Sequence, residues 1–206
     1  MAGLTTFGIS GVWGITFQYV LVGANAISLP QWVLDPCGAM GYNATQPYIL
    51  RFYAGNTGLV TNTLLTGGTS GKTFTPLAIT ISSGTLAGAN AAGLMLVDSL
   101  QNLTATETLV NSASTVVANT VASIVAMPIT RGQTARAVVI IPEAATIRVN
   151  ADGYKAGSNA NNPANFGQPL GVGVMLNLQE WVNISRLSFI NDNAANNATV
   201  NVAVYY

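Results

Sequence analysis

Glycine, asparagine and proline interrupt this chain at short intervals, and the segments between them are short apolar runs or alternate apolar with polar residues. A period of two places successive side chains on opposite faces of a strand, whereas a helix needs apolar residues three and four positions apart. The clearest case is residues 198–206, where Val200, Val202 and Val204 alternate with small or polar residues. We expect one face of this strand to line a core and the other to be polar or covered.

Several further segments have the β-branched and aromatic composition that favours strands. Because Pro76 lacks a backbone N–H, we expect its strand to lie at the edge of a sheet. Short strands between such turns predict an all-β protein, built as a β-sandwich or a jelly roll. The predicted strands are residues 12–21, 48–53, 73–81, 135–141, 146–150, 169–176 and 184–190, with a corner at residues 142–144.

Residues 107–129 are ambiguous between helix and strand. The spacing of Leu109, Val110, Val117 and Val121 suits one face of a helix. The many Thr, Val and Asn residues weaken that interpretation, because they lose rotamer freedom or compete for backbone hydrogen bonds in a helix. One helix and a pair of strands around residues 112–119 therefore stay open as alternatives.

The length of 206 residues fits one large all-β domain or two small ones. We expect a single β-rich domain over residues 12–206, preceded by an N-terminal arm at residues 1–11. A change of composition near residue 130 also permits two lobes, residues 12–130 and 131–206. The arm and an asparagine-rich loop at residues 157–166 have compositions that favour ordering only along a neighbouring molecule.

Charged side chains are scarce. The chain has seven basic and seven acidic residues, no histidine and a formal net charge of zero, so charged residues make up 7% instead of about a quarter. Monomeric proteins generally need a mixed-charge surface to stay dispersed, so this composition predicts a surface covered by other subunits. No cluster of Lys and Arg indicates a nucleic-acid partner. We expect a non-enzymatic building block that forms homo-oligomers.

The ionisable residues form no recognisable catalytic or metal-binding pattern. Cys37 is the single cysteine and has no histidine to activate it, so we expect a small buried or half-buried hydrophobe. Without histidine or a calcium-binding loop, we expect neither a metal nor any other cofactor, and no catalytic residue. The carboxylates are scattered along the chain and are expected to be solvated or at strand ends; they are Asp35, Asp98, Glu107, Glu143, Asp152, Glu180 and Asp192.

Residues 67–73, GGTSGKT, approach the phosphate-binding motif G-x-x-x-x-G-K-[ST]. Thr66 stands where the motif needs its first glycine. The segment that follows alternates like a strand, whereas a phosphate-binding loop opens a helix N-terminus. The sequence therefore argues against nucleotide binding at this loop.

Half of the residues are hydrophobic and the mean hydropathy is +0.42, so a membrane partner must be considered. The longest apolar stretches, residues 12–23 and 116–129, are interrupted by polar residues and fall short of the roughly 20 apolar residues of a spanning helix. We expect no membrane partner. Because the first basic residue is Arg51, a positively charged signal region is not expected either, and synthesis in the host cytoplasm without a signal peptide is the prediction.

Four segments of the last third resemble small β-rich structural proteins of tailed bacteriophages. They are residues 145–153 (ATIRVNADG), 167–173 (GQPLGVG), 184–190 (ISRLSFI) and 198–206 (ATVNVAVYY). The resemblance covers residues 135–206. It implies a component of the virion, such as a capsid decoration (cement) protein or the base of a head spike or fibre. The implied partners are the major capsid protein or other virion proteins.

Aromatic residues near the two ends of the chain are candidates for contacts between subunits. Aromatic side chains are enriched at interfaces, although core packing is the more common explanation of aromatics in strands. Exposed aromatics and asparagines also support an alternative function, a carbohydrate-binding or adhesin-like β module in a fibre or spike. The candidates for subunit contacts are Trp13, Phe17, Tyr19, Tyr205 and Tyr206.

Overall fold

A computed structural model describes residues 14–22, 26–41, 46–151, 167–193 and 197–206. It confirms the all-β class: strands dominate, helices are few and short, and one of the antiparallel sheets curls into a half-barrel. The arm expected at the N-terminus and the asparagine-rich loop expected after residue 156 lie outside the described residues.

The chain divides into two compact units. The described residues from 14 to 34 and from 134 to 206 belong to unit 1, and Asp35–Gln133 forms unit 2. The second division lies close to residue 130, where the change of composition was noted. The first strand, expected in an N-terminal lobe, belongs to the unit that holds the C-terminal third.

Unit 1 is sandwich-like and is built on two four-stranded sheets. Their strand orders are β1-β16-β11-β14 and β13-β12-β15-β2, with antiparallel neighbours. The strands are β1 (Gly14–Leu21), β2 (Ile27–Ser28), β11 (Ala137–Ala144), β12 (Ile147–Asn150), β13 (Gln168–Leu170), β14 (Leu176–Leu178), β15 (Ser188–Asn191) and β16 (Ala198–Tyr205), and the helices are α1 (Gln31–Leu34) and α3 (Trp181–Ser185).

The core of unit 1 follows from alternation along its strands. In β16, Val200, Val202 and Val204 are buried and the residues between them are half-buried, as the sequence predicted. The same alternation in β1 buries every second side chain. The two sheets contact each other where the rings of Tyr19 and Phe189 lie 5.5 Å apart between centroids.

The described residues of unit 2 form one eight-stranded antiparallel sheet and one short helix. The strand order is β5-β4-β8-β9-β3-β7-β6, and β10 pairs with β3. Pro76 opens β6, which lies at the end of this order, so the edge position predicted from that proline is confirmed. The single strand expected at residues 73–81 is instead divided at Thr75 into β5 and β6, which lie at opposite ends of the order. The elements are α2 (Pro36–Met40), β3 (Tyr48–Gly55), β4 (Leu65–Gly67), β5 (Thr73–Phe74), β6 (Pro76–Ser83), β7 (Ala91–Val97), β8 (Thr108–Asn111), β9 (Val116–Thr120) and β10 (Val125–Ala126).

The ambiguous segment 107–129 forms β8, β9 and β10, so the helix alternative was wrong. The physical reason is a local turn between β8 and β9. The Asn111 side chain accepts hydrogen bonds from the backbone N–H groups of Ala113 and Thr115, both at 3.0 Å, and Ser114 has a positive φ of 57°. Such an asparagine turn competes with a continuous helix.

Three details of unit 1 differ from the prediction. The corner expected at residues 142–144 comes later, because β11 continues to Ala144 and the backbone reverses at Ala145, whose φ is +63°. The strand expected at 169–176 is divided into β13 and β14 by a turn at Gly173, whose φ is +74°. The strand expected at 184–190 starts only at Ser188, as β15, because Ile184 and Ser185 belong to helix α3, in which the N–H groups of Asn183 and Ile184 both donate to the Glu180 carbonyl.

Candidate functional site

The aromatic residues predicted to contact other subunits are distributed between a core and a surface. Phe17 and Tyr19 lie on the buried face of β1, where their rings are 5.0 Å apart in an edge-to-face arrangement. Tyr206 is buried and its hydroxyl donates a hydrogen bond to the carbonyl of Val33, while Tyr205 is half-buried on the opposite face of β16. Trp13 lies outside the described residues.

Burial also sets the ionisation of two of these tyrosines. It raises the pKa of the Tyr19 and Tyr206 hydroxyls, because the charged phenolate is poorly solvated in a core. Both side chains therefore stay neutral at physiological pH. Packing explains Phe17, Tyr19 and Tyr206 in the single chain, and subunit contact at the five aromatic positions stays a prediction.

A continuous uncharged face covers the side of β1, β16 and β11 that points away from the unit 1 core. The strand register aligns its side chains in rows: Gln18 opposes Asn201, which opposes Ile141. All ten side chains are half-buried and none carries a formal charge at neutral pH. We call this surface the outer sheet face; its residues are Thr16, Gln18, Val20, Ala137, Val139, Ile141, Thr199, Asn201, Ala203 and Tyr205.

Glu143 is the charged group at the end of the outer sheet face. Its carboxylate accepts a hydrogen bond from Gln18 Nε2 at 2.7 Å and another from the Asn201 side-chain amide. Gln18 Nε2 also lies 3.3 Å from the side-chain oxygen of Asn201. The negative charge is thus held by neutral amides across three strands. A partner docking on this face would meet apolar and amide groups, which suits packing and hydrogen bonding more than ion pairing.

The glycine-rich loop at residues 67–73 holds a carboxylate of the chain itself. Glu107 is only 4% exposed, and its Oε2 accepts hydrogen bonds from the backbone N–H groups of Thr69 at 2.9 Å and Ser70 at 2.8 Å. Its Oε1 accepts from the Ser70 hydroxyl at 2.9 Å and from the Thr104 N–H at 2.7 Å. Glu107 therefore occupies the backbone amides that would face a phosphate in a nucleotide-binding loop.

The surroundings of Glu107 favour its charged form. Burial alone raises the pKa of the carboxyl, but the hydrogen bonds from Ser70, Thr69 and Thr104 lower it by more, so the pKa lies below the ordinary value. Of the two expected settings for a carboxylate, Glu107 has the strand end, since it directly precedes β8, but it is buried and not solvated. The sequence contains one indication of a buried acceptor here, because a glycine-rich turn exposes several backbone donors that need an acceptor.

Cys37 and the other carboxylates supply no reactive centre among the described residues. Cys37 is buried in α2, and burial together with the nearby Asp35 charge raises the pKa of its thiol, which disfavours the nucleophilic thiolate. The described part of the chain contains no group of three or more Cys, Asp and Glu side chains placed to hold a metal ion. Nor does any helix in that part have the length and apolarity to cross a membrane.

A cleft of about 670 Å³ opens in unit 1 beside α3. Apolar side chains such as Leu170 and Leu176 line it together with the amides of Gln168 and Asn183. Next to it lies an exposed apolar surface formed by the loop before β14 and the first turn of α3. We call this surface the α3 patch; its residues are Val172, Val174, Met175, Trp181 and Val182, which are 40–62% exposed.

Sequence reasoning missed the α3 patch. It assigned Val172, Val174 and Met175 to the strand expected at 169–176, in which alternate side chains would have been buried, and it assigned Trp181 and Val182 to no element. Their exposure depends on the turn and the helix that the chain forms there, and local periodicity does not report it.

Three sites therefore stand out among the described residues: the outer sheet face, the α3 patch and the buried Glu107. The first two are accessible from solvent, and the third stabilises a loop. Comparison of the chain with protein-family models, with curated proteins and with solved structures finds no match.

Proposed function

We propose that the protein is a non-enzymatic structural subunit of a virion, of the capsid decoration (cement) type, which binds the capsid lattice and its own copies. The observation that carries this proposal is the outer sheet face, ten aligned side chains without a formal charge. Depletion of charge is the compositional signature of the buried centre of a protein interface. The low charge of the whole chain agrees with the burial of its surface in protein interfaces.

The size of the outer sheet face indicates how it is used. Eight-residue strands are roughly 27 Å long and three of them span about 14 Å, so the face covers roughly 380 Å² in plan. A stable interface takes about 800 Å² from each partner. The outer sheet face therefore supplies about half of a stable contact, and a subunit of this kind needs a second surface to remain attached.

The assignment to a virion is supported by the resemblance of residues 135–206 to structural proteins of tailed bacteriophages. The four segments of this resemblance contain β12, β13, β16 and most of β15, which belong to both sheets of unit 1. In such a subunit, association depends on shape complementarity and apolar burial. No catalytic group is involved.

Sedimentation of particles tests this function. Tagged wild-type protein should sediment with particles from the cells that produce it. Val139→Lys places a charge in the centre of the outer sheet face and should abolish this co-sedimentation. The matched control is Val116→Lys, because Val116 is an exposed strand valine of unit 2. Wild-type protein that stays free of particles, or a Val139→Lys variant that binds them normally, contradicts the proposal.

A second candidate, a glycan-binding module, is favoured by the cleft beside α3. The exposed ring of Trp181 lies two residues from Asn183, whose amide lines that cleft with Gln168. Aromatic faces and amides are suitable groups for sugars. Retention of free protein on immobilised polysaccharides, lost in Trp181→Ala and in Asn183→Ala, would support this function over the first.

A further inference from the structure

The strands at the edges of the three sheets differ in how they are protected against further pairing. An edge strand presents backbone N–H and C=O groups that can pair with another chain, and proteins usually block it by keeping the strand short, by proline or by β-bulges. Four of the six edge strands in the described residues, β2, β5, β13 and β14, have only two or three residues. A fifth, β6, has eight residues but opens with Pro76, and its register against β7 shifts at two places.

Strand β1 is the sixth edge strand and has none of these protective features. Its eight residues, GITFQYVL, contain no proline and no charged residue, and its pairing with β16 runs from Gly14 to Leu21 without a register shift. No described strand pairs with its other side. An unblocked edge of this length is a site at which another strand can be added.

The partner that suits β1 offers a backbone and not an apolar cover. The side chains of β1 that point into unit 1 are at most 3% exposed; they are Ile15, Phe17, Tyr19 and Leu21. The core beneath β1 is therefore already closed within the single chain. A strand added beside β1 would form main-chain hydrogen bonds and would extend the outer sheet face sideways.

We propose that the added strand is β1 of a second copy of this chain, paired antiparallel across a two-fold axis perpendicular to the sheet. Such an axis keeps both outer sheet faces on the same side and joins the two four-stranded sheets into one. One face covers roughly 380 Å² in plan and the joined face roughly 760 Å², close to the area of about 800 Å² that a stable contact takes from each partner. The second copy thus supplies the area that a single face lacks for binding the capsid lattice. This pairing identifies the self-association in the proposed function, and it rests on that function.

Side-chain alternation restricts the register of the pair. Directly opposed residues of an antiparallel pair point to the same face, so an outer residue of one copy must lie opposite an outer residue of the other. Because glycine weakens a strand, the expected register pairs residues 15–21, which is all of β1 except Gly14. This register places Gln18 opposite Gln18 of the second copy and Thr16 opposite its Val20.

Disulfide formation between introduced cysteines tests this register. Directly opposed α-carbons lie about 4.5–5.5 Å apart, so Gln18→Cys should form a covalent dimer on oxidation, which non-reducing gel electrophoresis detects. The matched control is Asn201→Cys, which changes the neighbouring amide on β16. Its two α-carbons would be about 14 Å apart in the pair, three strand spacings, which is too far for a disulfide. The native Cys37 is buried and is present in both variants.

A second pair of cysteine variants tests the same register from the ends of the strand. Thr16→Cys or Val20→Cys alone places no two introduced cysteines opposite each other. An equimolar mixture, combined under reducing conditions and then oxidised, does so in the heterodimer. Covalent dimer should therefore form in the mixture and not with either variant alone. This mixture takes the place of Gln18→Cys if circular dichroism shows that variant to be unfolded.

Sedimentation equilibrium separates edge pairing from face-to-face stacking of two outer sheet faces. Val20→Lys places a charge beside the edge in both copies and should weaken self-association at least about tenfold. Val139→Lys lies on the same face but two strands from the edge, so it should leave self-association unchanged. Stacking would instead be lost equally in both variants, because both residues would lie in the contact.

Covalent dimers of Gln18→Cys, together with dimeric Val139→Lys, support the edge pairing. It is overturned by wild-type protein that is monomeric at every accessible concentration, by folded cysteine variants that stay uncoupled, by equal coupling of Asn201→Cys, or by equal losses in the two lysine variants. Particle binding is scored separately by co-sedimentation. Coupling of Gln18→Cys while wild type stays free of particles overturns the virion function alone, whereas a monomeric wild type that binds particles overturns the pairing alone.

Discussion

At the scale of single residues, Glu107 links two segments of unit 2 that are far apart in the sequence. Its carboxylate binds donors in the loop after β4 and the amide of Thr104 in the turn before β8. The Glu107 carboxylate lies close to the backbone at Gly67, because a Cβ at that position would be only 2.7 Å from Glu107 Oε2. Loss of this acceptor would leave buried donors without a partner.

Glu107→Gln should lower the free energy of unfolding by about 1–3 kcal/mol at neutral pH, because an amide has one acceptor oxygen where the carboxylate has two. Urea denaturation measures the difference. The control is Glu143→Gln, which changes an exposed carboxylate and should alter stability by less than about 0.5 kcal/mol. Equal stabilities of Glu107→Gln and wild type would show that the carboxylate contributes nothing beyond its shape.

The pH dependence of this difference has a definite sign. The folded pKa of Glu107 lies below the unfolded value of about 4.3, so its contribution is complete above that pH and is lost as the pH falls through the folded pKa. The stability gap between wild type and Glu107→Gln should therefore close below about pH 4. If the difference in unfolding free energy between wild type and Glu107→Gln grew as the pH fell, the pKa of Glu107 would be raised in the folded state instead of lowered.

At the scale of elements, strand identity was predictable where alternation is strict, as in β1 and β16. It was not predictable in residues 107–129, because apolar spacing there also suits a helix and the decisive contact is the Asn111 turn. Helix α3 escaped prediction for a related reason. A single turn that buries one side chain leaves little periodicity to detect.

The pairing of β6 with β7 gives a prediction at the same scale. Gly93 pairs with Ile81 of β6, and a Cβ at Gly93 would lie only 1.9 Å from the carbonyl oxygen of Thr80. Gly93→Ala must displace the backbone of β6 and should destabilise the protein by about 1–3 kcal/mol. Thermal unfolding measures the loss.

Gly171→Ala is the matched control for this substitution. The nearest atom to a Cβ at Gly171 is a methyl carbon of Val174 at 3.7 Å, an ordinary contact. This variant should be neutral or slightly more stable, since alanine restricts the unfolded chain. If both glycine variants had the same stability, close strand approach would not be the reason for glycine at position 93.

At the scale of the whole molecule, the first described strand pairs with the last: Gly14 lies opposite Tyr205 and Leu21 opposite Ala198. The sequence predicted both strands but not that they pair with each other, because local sequence patterns do not show which distant strands pair. The outer sheet face depends on this pairing. Its uncharged composition was therefore visible in the sequence, whereas its continuity across three strands was not.

Particle binding through the outer sheet face should depend little on salt. From about 0.1 M to about 1 M salt the Debye length falls from about 10 Å to about 3 Å, which screens exposed ion pairs. The ten side chains of this face carry no formal charge, and the Glu143 carboxylate at its end is already hydrogen-bonded to Gln18 and Asn201, so particle binding should be unchanged. Co-sedimentation in low-salt and high-salt buffers measures it. Loss of particle binding in high salt would mean that charged groups outside the outer sheet face hold the subunit on its particle.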